Sequence, residues 1–299
     1  MKIFFLTSLA LVAFAFNSIL CRLALAGGEA DAASFTAVRL TSGALTLFFI
    51  WFAWRSVRVS KGISATPNDT PLLTRGLLQQ GSWPSALLLF AYAICFSLAY
   101  LGLTAATGAL ILFGSVQLTM IAVSLVRGER PGVLEWTGLA AAVGGLVYLV
   151  IPGLESPPLA SSLLMAAAGA AWGGYTLRGK GDGDPLSETT GNFIRSLPFV
   201  LLTVPFFLAE LRITGAGVFL AVLSGAIASG VGYAIWYTAL QSLTSTRAAV
   251  LQLSVPVIAG VLAFILLDEQ MTLRLLFAAL LILGGIAITI AGRKQTNAI

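Results

Sequence analysis

The chain has 299 residues, of which 58% are apolar and only 10% are charged, and its mean hydropathy is +0.95. A soluble domain has about 25% charged residues, because it must cover a surface that faces water. The composition therefore excludes a water-soluble enzyme. The net charge of +5 has an ordinary cause in the loops of a membrane protein, so we expect no nucleic-acid partner.

Ten apolar runs approach or exceed the roughly 20 residues that an α-helix needs to cross a bilayer. In chain order the predicted spans are 3–25, 33–54, 84–104, 107–126, 133–151, 159–177, 190–209, 218–240, 246–267 and 273–291. The predicted fold class is an all-α integral membrane protein with ten transmembrane helices. The first run begins with Lys2 like a signal peptide, but it continues to Leu25 and has a counterpart in the second half. We therefore expect no cleavage.

The basic residues predict the orientation of these spans. With a cytoplasmic N-terminus and ten crossings, most Lys and Arg residues fall in cytoplasmic segments, and the opposite side holds only Arg22, Arg212 and Arg274. Cytoplasmic loops carry an excess of Lys and Arg in membrane proteins. The sequence thus predicts a multi-pass membrane protein with both termini in the cytoplasm.

The two halves of the chain resemble each other. An offset of 140 residues produces these identical pairs: Ala99 with Ala239, Glu129 with Glu269, and Gly144 with Gly284. Near the start of each half the offset grows, as a longer loop between spans 2 and 3 would produce. The predicted units are 1–152 and 153–299, each with five spans. Because five is odd, the second unit must cross the membrane in the opposite direction, and such inverted repeats around a central cavity are typical of secondary transporters.

Several short motifs resemble the drug/metabolite transporter superfamily, EamA type. They are Trp172-Gly173 with Lys180 beyond them, Pro256 ahead of Glu269, the span-initial Arg39 and Arg195, and Gly128-Glu129-Arg130-Pro131. The first half departs from the family pattern with Phe14-Ala15 and Val116. The resemblance extends to the bacterial exporters of aromatic amino acids, and it is this likeness that implies an amino-acid substrate and a location in the bacterial inner membrane.

Polar side chains in the middle of a span are costly beside lipid and are expected to face the interior of the bundle. Asn17, Gln117, Gln252 and Ser254 are the candidates. Their amides and hydroxyl would supply hydrogen-bond donors to the carboxylate of an amino acid. The alternative for Asn17 and Gln117 is a helix-to-helix hydrogen bond, worth about 0.6 kcal/mol on average.

Aromatic residues share helix faces on two of the spans. Tyr92 and Phe96 are four residues apart on span 3, and Tyr233 and Trp236 are three apart on span 8. Together with Trp172 on span 6 they are predicted to form the aromatic walls of the substrate site. Ordinary packing of the bundle is the alternative interpretation.

The charged residues bear on energy coupling. A proton or cation site within the membrane normally requires Asp, Glu or His at depth, whereas Glu135, Glu210, Asp268 and Glu269 all fall at or beyond span ends and the chain has no His. We therefore expect transport driven by the substrate gradient or by exchange, with no cofactor, metal or catalytic residue. Arg39 and Arg195 leave two interpretations open: snorkelling towards the interface, or a gate or contact to an anionic substrate.

Conformational change requires helices that bend and pack closely. Pro198, Pro205 and Pro256 interrupt backbone hydrogen bonding within spans and predict hinges or kinks. Gly169 with Gly173 places small residues four apart, which permits close approach of a neighbouring helix.

These observations favour a secondary transporter that exports aromatic and other neutral amino acids by alternating access of a midplane cavity. The alternatives are another small metabolite or drug on the same fold, and a membrane-embedded enzyme, which would need a base, a nucleophile or a metal cluster. The expected partners are the substrate and the lipid bilayer, and the expected state is a monomer or weak homodimer.

Overall fold

The computed structural model describes residues 2–60, 81–126, 128, 132–153, 156–179, 184–207, 211–243, 248 and 251–292. The backbone of these residues is helical apart from turns and one isolated antiparallel bridge between Ala30 and Ile213. The helices are α1 Lys2–Ala26, α2 Ala32–Ser60, α3 Trp83–Tyr100, α4 Ala105–Val126, α5 Val133–Val150, α6 Leu159–Arg178, α7 Pro185–Phe207, α8 Gly215–Leu240, α9 Ser254–Leu267 and α10 Leu273–Gly292.

The helices overlap the ten apolar runs of the sequence one for one. Seven of those described are long and apolar enough to cross a membrane, namely Phe4–Ala26, Ala32–Ser56, Trp83–Tyr100, Ala105–Val126, Val133–Val150, Gly215–Leu240 and Leu273–Gly292. Helix α9 is apolar but shorter, and the first residues of the predicted span 246–267 lie mostly outside the described residues. The molecule is therefore a multi-pass membrane protein.

Polar residues at the helix ends satisfy backbone N–H groups that have no partner within the helix. The Asp31 carboxylate accepts from the N–H groups of Ala33 and Ser34 at the start of α2. Ser82 accepts from Ser85 N at the start of α3, and Thr214 accepts from Gly217 N at the start of α8. These caps set where the helices begin within the connecting segments.

The helix pairings follow a regular scheme. Helix α5 packs against α10, α4 against α9, and α2 against α7. Three further contacts come in corresponding sets: α3 packs on α6 as α8 packs on α1, α4 on α6 as α9 on α1, and α3 on α7 as α8 on α2. Exchanging helices α1–α5 with α6–α10 thus reproduces the same principal contacts.

Small residues allow several of these pairs to approach closely. A Cβ added to Gly225 of α8 would lie 2.0 Å from the carbonyl oxygen of Arg39 on α2. A Cβ on Gly138 of α5 would lie 2.5 Å from the carbonyl oxygen of Gly285 on α10. A Cβ on Gly285 would likewise lie 2.5 Å from the carbonyl oxygen of Gly138. Gly169 and Gly173 of α6 are tight against α4 in the same way. Backbones meet directly at these points, so a larger residue has no room.

The second half contains one departure from regular α-helix, together with the three prolines predicted as hinges or kinks. Helix α8 is π-helical over Leu223–Val231, where it packs against α1 and α2. Pro198 and Pro205 lie inside α7, and Pro256 is the third residue of α9, just beyond a turn at Leu253. A π-helical segment widens the helix and is common at functional sites, and the sequence analysis did not predict it.

Candidate functional site

A small enclosed cavity of about 10 Å³ lies in the core of the bundle among α1, α3, α4, α6 and α8. Its lining is mainly aromatic and consists of Phe14, Asn17, Tyr92, Phe96, Leu112, Phe113, Trp172 and Tyr233. This volume is about that of one water-sized probe, so the surrounding rings must move apart before the cavity can hold a metabolite.

Five of the nine residues predicted to bind substrate line this cavity: Asn17, Tyr92, Phe96, Trp172 and Tyr233. They come from four helices that are distant in the sequence. Phe14, Leu112 and Phe113 also line it and were not predicted. Phe14 lies three residues before Asn17, so helical spacing in α1 would have identified it.

Trp172 is the centre of the aromatic lining. Its ring centroid lies 4.6 Å from that of Tyr233, 5.1 Å from that of Tyr92 and 5.9 Å from that of Phe14. Contacts at these distances and inclined angles are favourable, at about 0.5–1.5 kcal/mol per pair beyond the area that they bury. The rings form a cage of adjustable faces suited to an apolar or aromatic group.

The polar groups of the cavity are linked to each other. Nδ2 of Asn17 donates to the hydroxyl of Tyr92 at 3.2 Å, and Oδ1 of Asn17 accepts from the hydroxyl of Ser224 at 2.5 Å. Ser224 belongs to the π-helical part of α8. The amide of Asn17 therefore joins α1 to both α3 and α8, and one side of the cavity is polar while the rest is apolar.

The other four predicted residues lie elsewhere. Trp236 is fully buried behind Phe14, with 5.7 Å between the ring centroids. Gln117 and Gln252 are buried but do not line the cavity. Ser254 is half-buried and donates to the carbonyl of Leu251, within its own segment. Mid-span polarity identified interior residues but did not distinguish cavity-lining residues from those that bond within or between helices.

Arg39 is buried, with 1% of its surface exposed. Its Nε donates to the hydroxyl of Ser229 at 3.1 Å, and its Nη2 donates to the hydroxyls of Tyr92 at 3.0 Å and Tyr233 at 3.3 Å. The guanidinium carbon also lies 5.0 Å from the ring centroid of Phe96. The snorkelling interpretation is therefore wrong for Arg39, because its guanidinium is buried and bonds to hydroxyls of α3 and α8 inside the bundle.

Arg195, the predicted counterpart of Arg39, is also largely buried and does not snorkel into open solvent. Its exposed fraction is 8%, and Nη1 donates to the carbonyl of Gly191 one turn earlier in α7. It does not line the central cavity. The two arginines thus occupy different surroundings.

A larger cleft of about 200 Å³ lies at the end of the bundle where α3 and α7 begin and α6 ends. Its lining residues are Gly81, Ser82, Ser85, Tyr175, Arg178, Gly179, Pro185, Glu188, Thr189, Asn192 and Tyr237. Tyr175 lies at the boundary with the central cavity, because its ring contacts Trp172 at 5.4 Å and Tyr237 at 5.8 Å. A layer of aromatic rings therefore separates the cleft from the cavity.

Polar contacts hold the opposite end of the bundle together. Arg22 of α1 pairs with Glu269 after α9 and donates to the carbonyl of Tyr100 at 3.0 Å. The Glu269 carboxylate also accepts from Ala105 N and Ala106 N at the start of α4. These contacts tie α1, α3, α4 and α9 together on the side away from the cleft.

The α1–α2 and α7–α8 connections are joined at that same end. The N–H of Arg212 donates to Asp31 Oδ2 at 2.7 Å, its guanidinium donates to the carbonyl of Gly28, and Thr214 donates to Glu29. Partial burial raises the pKa of Asp31, but hydrogen bonds from Ser34, Arg212 and Ala33 outweigh it and hold that pKa below its ordinary value. The Asp31 carboxylate is thus stabilised in its charged form.

The carboxylates of the described residues lie in connections or in first turns of helices. Glu29 and Asp31 precede α2, Glu135 and Glu188 are in the first turns of α5 and α7, and Asp184, Asp268 and Glu269 are in connections. None of them lines the central cavity. Glu129, Lys180 and Glu210, which entered the sequence analysis, lie outside the described residues.

Comparison with known proteins agrees with the all-helical membrane fold. Residues 159–291 match the EamA-like transporter family. The chain is 48% identical to an uncharacterized protein of Pseudomonas aeruginosa, over 96% of this chain and 94% of that protein. It is 27% identical to a probable amino-acid metabolite efflux pump of Escherichia coli, over 70% of this chain and 75% of the pump.

One solved crystal structure covers 98% of both chains with a TM-score of 0.60 at 16% sequence identity. At that identity the likeness concerns the fold alone. The family match covers the second half of the chain, and the Pseudomonas relative and the solved structure each cover nearly all of it. The chain belongs to the EamA-like transporter family.

Proposed function

We propose that this transporter exports amino acids, with aromatic side chains preferred, across the bacterial inner membrane. The observation that carries the proposal is the central cavity, where rings of Phe14, Tyr92, Trp172 and Tyr233 surround a volume bordered by the Asn17 amide. An aromatic amino acid needs stacking faces for its side chain and hydrogen-bonding groups for its polar end. A relative at 27% identity bears the name of an amino-acid metabolite efflux pump, which supports the substrate class.

Alternating access requires that the cavity open to each side in turn. The aromatic layer at Tyr175 closes it towards the cleft, and the contacts of Arg22 and Glu269 close the opposite end. In our proposal, the small cavity of about 10 Å³ belongs to a conformation that is closed to both sides. In our proposal, separation of these two closures in turn lets substrate enter from the cleft and leave at the other end.

The proposed architecture is a pair of inverted repeats, 1–152 and 153–299. The exchange of α1–α5 with α6–α10 that preserves the main helix contacts supports it, because two copies related by a two-fold axis in the membrane plane would pack in this way. Both termini are placed in the cytoplasm by the distribution of Lys and Arg. The cleft at Arg178 and Glu188 is then the cytoplasmic entrance.

Exchange or a substrate gradient supplies the driving force in this proposal. The described carboxylates all lie away from the cavity, and the chain has no His. A tenfold ratio of substrate concentration supplies about 1.4 kcal/mol. If an imposed proton or sodium gradient drives accumulation of substrate in proteoliposomes, this part of the proposal is wrong.

The test is counterflow in proteoliposomes of the purified full-length chain. Vesicles preloaded with unlabelled phenylalanine should accumulate labelled phenylalanine and tryptophan faster than labelled threonine, methionine or lysine. Equal uptake of all five would contradict the aromatic preference, and no counterflow of any would contradict amino-acid transport. Recovery of chemically altered substrate would instead favour the alternative of a membrane-embedded enzyme.

A further inference from the structure

We infer that Arg39 is the site that binds the carboxylate of the substrate. This inference rests on the proposed function, because it assigns one chemical group of the cargo to one residue that contacts the lining of the cavity. It also narrows the cargo, since it requires a carboxylate on any molecule that binds well.

Arg39 carries its charge in a buried position. Arginine stays protonated in proteins, and no carboxylate of the described residues lies within 4 Å of its guanidinium. Burying an ion is costly unless it is paired, and the neutral hydroxyls of Tyr92, Tyr233 and Ser229 replace water only in part. An incoming anion would supply the missing charge.

The guanidinium of Arg39 has unused hydrogen-bonding capacity. Nη1 of Arg39 is buried and has no hydrogen-bond partner among the described residues. The Tyr92 hydroxyl oxygen already accepts from both Nη2 of Arg39 and Nδ2 of Asn17. Donors thus outnumber acceptors at this point, and a carboxylate, with two acceptor oxygens, matches the fork of a guanidinium.

The position of Arg39 beside the cavity lining also favours contact with a substrate. Arg39 contacts three residues of the cavity lining, through hydrogen bonds to Tyr92 and Tyr233 and through the face of the Phe96 ring. It lies directly behind the two tyrosine hydroxyls. When the rings separate to admit a substrate, its carboxylate takes the place of these hydroxyls on Nη2 and also accepts from Nη1, while its side chain stacks on Trp172.

This arrangement also links substrate binding to the helices that must move. Arg39 belongs to α2, and its present partners belong to α3 and α8. A carboxylate that displaces the tyrosine hydroxyls would release two of the three hydrogen bonds that join the Arg39 side chain to α3 and α8. The bound anion then contributes to both recognition and conformational change.

The experiment measures binding of four compounds to the purified full-length protein by calorimetry. Phenylalanine and 3-phenylpropanoate carry the carboxylate, whereas phenylalaninamide and phenethylamine lack it. We expect the wild-type protein to bind phenylalanine and 3-phenylpropanoate at least tenfold more tightly than phenylalaninamide. Arg39→Gln should remove this preference, and Arg39→Lys, which keeps the charge but not the fork, should retain part of it.

Arg195→Gln is the matched control, because it removes a buried arginine from α7, a helix that supplies no residue of the cavity lining, and it should leave the preference unchanged. If wild-type protein binds the amide as well as the acid, the inference is overturned even if Arg39→Gln does not fold. It is also overturned if the preference survives in Arg39→Gln, since a purely structural arginine would lower all affinities alike.

The results separate this inference from the proposed function. Binding of 3-phenylpropanoate that depends on Arg39, without counterflow of phenylalanine, would support the carboxylate site and contradict amino-acid transport. Counterflow of phenylalanine without a preference for the carboxylate would support the transport proposal and contradict the site. If none of the four compounds binds, both are contradicted.

Discussion

Nε of Arg22 lies 3.5 Å from Oε1 of Glu269, and this ion pair joins the end of α1 to the connection after α9. The same carboxylate accepts hydrogen bonds from Ala105 N and Ala106 N at the first turn of α4. Glu269 thus combines an ion pair with a helix cap, although the sequence indicated only that it falls at a span end. It is one of the polar contacts that join the helices on the side away from the cleft.

Glu269→Ala is therefore expected to destabilise the protein by about 1–2 kcal/mol, because it removes the cap of α4 as well as the ion pair. Arg22→Gln leaves the cap in place and is expected to cost less, about 1 kcal/mol or below. Thermal unfolding of both variants in detergent measures the difference. A larger loss for Arg22→Gln than for Glu269→Ala would contradict the role of the cap.

Gly225→Ala is expected to destabilise the contact between α8 and α2. The added methyl would lie 2.0 Å from the backbone oxygen of Arg39, which no side-chain rotation relieves, and overpacking of this kind costs about 1–3 kcal/mol. Gly284→Ala is the control, because a Cβ there meets nothing within 4 Å. Yield and melting temperature should fall for Gly225→Ala only; equal values for the two variants would contradict the close approach.

The lowered pKa of Asp31 predicts that the stability of the protein depends on pH. Because the folded-state pKa of this carboxyl is lowered, its stabilising effect is present above the unfolded pKa of about 3.9 and is lost as the pH falls through the folded pKa. Wild-type protein should melt at a higher temperature than Asp31→Asn at neutral pH, and the gap should close in strong acid. Melting curves across this pH range provide the measurement, and a gap independent of pH would refute the assignment.

The proposed orientation is tested by paired single cysteines in a variant whose native Cys21 and Cys95 are replaced by alanine. Glu188 lines the cleft and Arg212 lies at the other end of the bundle. Glu188→Cys should react with a membrane-impermeant maleimide only after the cytoplasmic face is made accessible, and Arg212→Cys should react in intact spheroplasts. The opposite pattern would reverse the orientation, and reaction of both from one face would contradict their placement at opposite ends.

The apolar runs were sufficient to predict the helices, because each run is long and ends at polar or small residues. Helical spacing also identified Tyr92 with Phe96 as one face of α3, and both line the cavity. The same spacing placed Tyr233 beside Trp236, yet only Tyr233 lines the cavity, because Phe14 packs between that space and the Trp236 ring. The spacing of residues along one helix carries no information about the side chains that neighbouring helices place against it.

Arg39 and the cleft show why other features of the site could not be predicted from the sequence. The position of Arg39 near a predicted span end suggested snorkelling, but the neighbouring helices α3 and α8 offer three hydroxyls to its guanidinium. The cleft combines residues from three segments, around 81–85, 175–179 and 185–192, with Tyr237. Such a site depends on how the helices assemble, and no single stretch of sequence carries its signal.

In our proposal, substrate binds during transport in the aromatic cavity around Trp172, and the comparison of Trp172→Phe with Trp236→Phe is the decisive test. Both indoles are buried, but only Trp172 lines the cavity. In phenylalanine counterflow, Trp172→Phe should lower the initial rate about tenfold through loss of stacking, while Trp236→Phe stays within about twofold of wild type. Equal rates for the two variants, or a greater loss for Trp236→Phe, would contradict the claim.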